Sequence, residues 1–212
     1  LIDNTRLVRV ARKSLLPFYD VFDEERYFER GHPNAVASVN GDKLGISICE
    51  DAWNDKEYWS KRKYALDPMA ELSKKGAKIH VNISASPYWM SKGAIRQDML
   101  GSIAKRRRAP LVFVNQVGGN DDLIFDGRSC AFDAKGRLLA RAAAFAEDFV
   151  VVDLEEGPGD IRPQPANETA AVWDALVLGL RDYVRKCGFT DVVLGLSGGV
   201  DSSVAALLLQ RQ

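Results

Sequence analysis

The stretch Lys43-Leu44-Gly45-Ile46-Ser47-Ile48-Cys49-Glu50-Asp51-Ala52-Trp53 decides the fold. It is a short β-branched run that stops at a cysteine, with two carboxylates behind it. Such a run reads as a strand buried between layers, ending where the chain turns. Working backward, Ala35–Asn40 and Lys43–Cys49 predict a hairpin across Gly41-Asp42. Working forward, Pro68–Lys75 predicts a helix, Lys78–Ser84 a strand, Ala94–Arg107 a helix and Leu111–Val117 a strand. Leu123–Asp133, Leu138–Ala143 and Phe149–Leu154 read as three further strands, with turns at Asp126-Gly127 and Lys135-Gly136. Residues 1–154 are therefore expected to form one mixed α/β layered domain.

The composition changes at residues 155–167, which hold three prolines and two glycines and almost nothing to bury, so this segment is predicted as a linker. Beyond it, Thr169–Lys186 places Val172, Leu176, Leu180 and Val184 on one helical face, with Gly188 as the residue that ends the helix. Asp191–Leu196 reads as a short apolar strand, and a glycine-rich loop and a new helix follow. Residues 168–212 thus begin a second domain.

The 29 basic and 29 acidic residues balance, so the overall field favours neither nucleic acid nor an anionic membrane. No apolar run reaches the roughly 18 residues that would span a bilayer. Three widely spaced cysteines, Cys49, Cys130 and Cys187, speak against a disulfide framework and for a reducing, cytoplasmic setting. Cys130 and Cys187 carry no partner motif and read as packing residues. His32 and His80 lie too far apart to suggest a metal site, and none is expected. Lys105-Arg106-Arg107-Arg108 closes a predicted helix and reads as a solvated helix end. The chain does not open on Met and ends on Arg211-Gln212 without a helix stop signal, so both ends are expected to be cuts through a longer reading frame.

Cys49, at the end of a strand and beside free backbone N–H groups, suits a nucleophile that attacks a carbonyl, although a small hydrophobe buried at a strand end fits the same position. Glu50 and Asp51 would raise its thiol pKa, so a cation must come from elsewhere. Lys13, ahead of Leu16-Pro17 and an aromatic-acidic segment, is a candidate; read singly, it is better taken as a surface lysine. Arg12-Lys13 through Phe28, taken with Ile48-Cys49-Glu50-Asp51, resembles the nitrilase superfamily, whose members use a Glu-Lys-Cys triad. The resemblance puts Lys13 on the family lysine and Cys49 on its nucleophile, and implies an α-β-β-α sandwich, incomplete here at the N-terminal side.

Asn82–Tyr88, Asn115–Asp121 and Phe125–Ser129 resemble the glutaminase domain of the glutamine-dependent NAD+ synthetase family. That resemblance implies that Tyr19, Ser86 and Lys92 contact glutamine, with Glu24 as a carboxylate supporting the lysine and the Glu50 backbone amide serving the oxyanion. Without it, Ser86 reads as a turn residue before Pro87 and Lys92 as a solvated helix start.

In Leu194-Gly195-Leu196-Ser197-Gly198-Gly199-Val200-Asp201-Ser202-Ser203, glycines between a strand and a helix make an anion site, and phosphate is the natural ligand. The loop is neither a Walker A sequence nor a dinucleotide fingerprint. It resembles the pyrophosphate loop of the ATP pyrophosphatases, which implies ATP binding by Gly195, Leu196, Ser197, Gly198, Gly199, Val200, Asp201 and Ser202 at the start of a Rossmann-like domain. The implied partners are L-glutamine, ATP with Mg2+, and nicotinic acid adenine dinucleotide, in a homo-oligomer.

The family's general-base Glu precedes the lysine, and none of the twelve residues before Lys13 is Glu. The chain alone is therefore expected to be inactive. Two other classes fit less well: a stand-alone amidase acting on another amide, and a non-catalytic interaction module.

Overall fold

A computed structural model describes residues 1–3, 5–33, 35–61 and 63–211. The last residue of the expected second domain, Gln212, lies outside them. The chain opens on a two-stranded ribbon, β1 (Ile2–Asp3) and β2 (Arg6–Leu7), followed by one helical turn, α1 (Glu24–Tyr27). The expected hairpin is β3 (Val36–Val39) and β4 (Asp42–Ile48), paired in the register Val39↔Asp42. That register moves the turn one residue back, to Asn40-Gly41, and both have positive φ (50° and 93°), as the primed turns of twisted hairpins require.

From there α2 (Pro68–Lys74), β5 (Ile79–Ser84), α3 (Lys92–Arg107) and β6 (Leu111–Asn115) alternate. β7 (Val117–Asn120) and β8 (Leu123–Asp126) form a separate hairpin, and β9 (Cys130–Phe132) and β10 (Leu138–Arg141) complete the main sheet. Its order is β10-β9-β6-β5-β4-β3, with β4, β5 and β6 parallel. One face carries His80, Asn82, Leu111, Phe113 and Asn115 under the two helices, where Met69, Met99, Leu100 and Ile103 are wholly buried. On the other face Ile83 and Val114 remain about half exposed.

Several expectations need correction. The run Leu111–Val117 is divided at Gln116. Leu123–Asp133 is likewise divided at Gly127-Arg128, both at positive φ (62° and 56°), so the β7–β8 hairpin leaves the sheet. Phe149–Leu154 forms no strand. Its Val150, Val152 and Leu154 cover Ala131, Leu139 and Ala140, but the edge of β10 is taken by the expected linker. Gly159 N–H donates to Leu139 C=O, Arg141 N–H to Asp160 C=O and Arg162 N–H to Arg141 C=O, so this segment is hydrogen-bonded to the domain. Arg106 and Arg107 are not a solvated helix end. They close on the buried Asp55, and Arg107 also holds Asp67, the residue that caps α2. Cys130 is buried as expected, whereas Cys187 is exposed.

The second unit contributes α4 (Glu168–Lys186) and α5 (Val200–Gln210). Gly188 ends α4 at φ 74°, its N–H donating to Arg185 and that of Phe189 to Val184. The helix buries Ala171, Ala175 and Leu178, not the expected face, on which Leu176 is 46% exposed. Small residues win because α4 lies almost against the backbone of β7: a Cβ on Gly119 would sit 3.1 Å from Gly179 Cα. Asp182 accepts the Gly119 N–H at 2.7 Å, and Lys186 donates to the Gly119 carbonyl. Asp191–Leu196 forms no strand, and Val193 is 97% exposed: the expected buried strand has no neighbour to pair with among the described residues.

Candidate active site

The carboxyl end of β4 sets the site. Cys49 follows the strand at φ 43°, in the left-handed region, and opens a 3-10 turn over Cys49–Ala52. The sharp turn lifts its thiol out of the pleat, and the Glu50 N–H belongs to the first turn, whose amides lack acceptors within the helix. Burial pushes the thiol pKa up; the Lys13 ammonium, the Ser84 hydroxyl and the Ala85 amide draw it back, while Glu50 adds to the rise. Burial thus outweighs the stabilising groups.

Lys13 is only 17% exposed, and its Nζ lies 2.6 Å from both oxygens of Glu24, the first residue of α1. It acts on Cys49 through its charge without lining the adjoining cleft. The segment after it is buried, and Asp51 accepts the N–H groups of both Ser14 and Leu15 at 2.9 Å. Lys13 C=O accepts the Gly31 N–H at 2.7 Å.

The cleft beside the thiol has a volume of about 460 Å³ and is lined by Cys49, Glu50, Tyr19, Ser86 and Lys92, among others. The structure therefore brings together residues from three distant parts of the chain. Tyr19 donates its hydroxyl to Glu50 at 2.8 and 2.9 Å, and burial together with that carboxylate raises its phenol pKa. Ser86 is buried, its N–H donated to the Asn115 side chain at 2.8 Å. Asn115 in turn donates to the Gly127 carbonyl at 3.1 Å and to Asp126 at 3.3 Å. Asp126 is ion-paired at 2.9 Å with Arg96, and both are almost completely buried.

Lys92 is no solvated helix start. It is buried, donates to the Pro87 carbonyl at 2.8 Å, and lies 5.3 Å from the centre of the Trp53 ring. Burial lowers its pKa to about 8. The Pro87 carbonyl and the Trp53 and Trp89 rings hold its ammonium at the cleft wall.

Trp53 and Trp59 also line the cleft, as do Tyr64 and Lys63, which escaped sequence reading. Tyr64 donates to Glu50 at 3.3 Å, Lys63 Nζ sits 2.8 Å above the Tyr19 ring, and the two indoles stack at 6.3 Å. They fall in an irregular segment without periodicity, so only the clustering of aromatic residues could have marked them. Asp122 and Leu123, at the tip of the β7–β8 hairpin, close the opposite wall.

The loop before α5 is apart from this cleft. Gly198 adopts φ 83°, and Ser202 Oγ lies 3.0 Å from Ser197 Oγ while accepting the Ser197 N–H at 3.3 Å. Residues Gly195–Val200 are exposed. No group of three or more metal-ligating His, Cys, Asp or Glu side chains occurs among the described residues. No helix there is long and apolar enough to cross a membrane.

Comparison with known proteins fits this geometry. Residues 1–157 match the model of the carbon-nitrogen hydrolase family, and residues 172–212 that of NAD synthase. The chain is 42% identical over 213 residues to the glutamine-dependent NAD(+) synthetase of Synechocystis sp., a match covering 98% of this chain and 38% of that protein. It is 36% identical over 244 residues to the enzyme of that name from Aquifex aeolicus, covering 98% and 41%. The chain thus spans about two fifths of the length of these relatives. Among solved structures, the glutamine-dependent NAD+ synthetase of Acinetobacter baumannii superposes with a TM-score of 0.81 at 35% identity, over 94% of this chain and 36% of that one. The NitN amidase of Neterenkonia sp. AN1, at 23% identity and a TM-score of 0.55 over 68% of this chain and 50% of that one, shares the fold. The chain is thus homologous over nearly its whole length to glutamine-dependent NAD(+) synthetases and, through residues 1–157, belongs to the carbon-nitrogen hydrolase family.

Proposed function

We propose that residues 1–154 form the thiol-bearing part of a glutaminase whose ammonia serves an ATP-dependent amidation begun by the second unit. The observation that carries this reading is the convergence of Cys49, the Lys13–Glu24 pair and a cleft that presents Tyr19, Ser86 and Lys92. The Ser86 hydroxyl and the Lys92 cation suit an α-carboxylate, and the Glu50 carboxylate, oriented by Tyr19, suits an α-ammonium. A general base takes the proton from Cys49, and the sulfur adds to the side-chain amide carbon of glutamine. The Glu50 N–H holds the oxyanion and the nearby Lys13 charge stabilises it, ammonia leaves with the returned proton, and water cleaves the thioester to glutamate.

Neither candidate substitute for that base is free: Glu24 is committed to Lys13, and Glu50 accepts from Tyr19 and Tyr64. We therefore expect this chain alone to bind glutamine without turning it over. In the longer protein, the loop Gly195–Ser202 would cradle ATP phosphates, nicotinic acid adenine dinucleotide would be adenylated, and ammonia would displace AMP to yield NAD+. The described residues offer no cluster of ligands for the accompanying Mg2+. The free thiols support a reducing, cytoplasmic setting, and we place the parent protein in a homo-oligomer.

Alkylation of Cys49 by iodoacetamide tests the glutaminase reading. L-glutamine should protect the thiol and acetamide should not. Equal protection by both would favour the stand-alone amidase, and protection by neither would overturn both enzyme readings.

A further inference from the structure

Asp51 has no part in the chemistry described above, yet it is only 3% exposed and its carboxylate is fully engaged. Oδ1 accepts the N–H groups of Ser14 and Leu15, each at 2.9 Å, and Oδ2 accepts the N–H of Ile48 at 3.0 Å. The first two donors directly follow Lys13, and the third directly precedes Cys49. One side chain therefore bridges two backbone segments more than thirty residues apart, each carrying one member of the reactive pair.

We propose that Asp51 is a positioning residue: by binding the backbone on both sides it fixes the distance between the Lys13 ammonium and the Cys49 thiol. The inference rests on the reading of Lys13 and Cys49 as partners. The geometry favours it over a role for Asp51 in cleft binding, because the cleft is lined by Cys49 and Glu50 but not by Asp51. The other restraints on Lys13 are its ion pair with Glu24 and the Gly31 N–H on its carbonyl, and neither of these reaches the nucleophile turn. Three charge-assisted bonds to backbone amides make Asp51 a stronger link between the segments than the Tyr64 hydroxyl, which contacts the Leu16 carbonyl at 3.2 Å and the Glu50 side chain at 3.3 Å.

The sign of one measurement separates positioning from direct electrostatics. Acting directly, loss of the Asp51 negative charge would lower the Cys49 thiol pKa; acting through Lys13, it would raise it, because the cation drifts away. The pH dependence of Cys49 alkylation by iodoacetamide, read on the Cys49 peptide by mass spectrometry, should be compared for the parent chain, Lys13→Met, Asp51→Asn and the double variant. We expect Lys13→Met to raise the alkylation midpoint by about one pH unit. Asp51→Asn should raise it in the same direction, and the double variant should go no further than Lys13→Met.

A midpoint that stays or falls in Asp51→Asn while rising in Lys13→Met overturns the positioning role and leaves the glutaminase reading intact. A midpoint unmoved by Lys13→Met removes Lys13 as partner, and both fall. Should Asp51→Asn not fold, amide exchange in the unaltered chain decides: Ser14, Leu15 and Ile48 protected together supports the role, and fast exchange at Ser14 and Leu15 overturns it.

Discussion

Replacing Asp126 with Asn should destabilise the chain strongly, although the two side chains have the same shape. Both carboxylate oxygens of Asp126 accept. Oδ1 takes Arg96 at 3.1 Å and Asn115 at 3.3 Å, and Oδ2 takes Arg96 at 2.9 Å, with Arg128 Nε at 3.4 Å. An amide nitrogen in either orientation would face donors. The loss of charge also leaves Arg96, 2% exposed, and its neighbour Arg128 as two guanidinium groups with no carboxylate in ion-pair contact among the described residues. Breaking a buried ion pair from one side costs about 3–5 kcal/mol. The Arg96 contact with the Phe113 ring, 5.2 Å from its centre, is present in both forms and cancels in the difference. The net cost is on the order of 3 kcal/mol, a shift of roughly 10 °C in Tm for a chain of this size. Urea unfolding followed by tryptophan fluorescence measures it. Replacing both partners, Arg96→Met with Asp126→Asn, should cost less than the sum of the single changes. A single-variant cost below about 1 kcal/mol, or strict additivity, would refute the view that this pair anchors Asn115 and hence Ser86.

His80 is wholly buried, and burial next to Arg107 lowers its pKa from 6.5 to about 4. The unfolded chain therefore takes up the proton first, and the contribution is complete above pH 6.5 and lost as pH falls toward 4, by on the order of 3 kcal/mol. Asp51, raised by burial to about 6, works oppositely in the same window, so the difference between His80→Gln and the parent across an acid unfolding series isolates the effect. Lys92, with its pKa near 8, should lose its grip on an α-carboxylate as pH rises through 8, whereas Lys92→Arg should retain it; quenching of tryptophan fluorescence by glutamine reads both. Gly119→Ala should shift α4 slightly away from β7, since the added Cβ meets the Gly179 backbone at 3.1 Å, and should speed proteolysis within residues 155–167 while the melting of the main sheet barely changes.

Sequence alone determined the β3–β4 hairpin and the helices α2, α3 and α4, and the family resemblance singled out Cys49, Lys13, Tyr19, Ser86 and Lys92 as candidates, of which all but Lys13 line one cleft. These signals are local or motif-borne. A turn dipeptide, an apolar period or a cysteine at a strand end is set by near neighbours along the chain, and the family motifs supplied the roles. Tertiary structure decided what depends on distant partners. Residues 159–162 took the edge of β10 because that edge offered unpaired backbone groups, which left Phe149–Leu154 without a ladder and turned an expected linker into part of the domain. The docked face of α4 was chosen by the close approach of Gly179 to Gly119, where small residues win over larger apolar ones. Lys92 and Arg107 look like solvated charges in sequence and are held inside by partners up to 52 residues away. Asp51 follows the same logic: only the fold brings the Ser14 and Leu15 amides to its carboxylate, because a hydrogen bond spanning some 37 residues has no local signature.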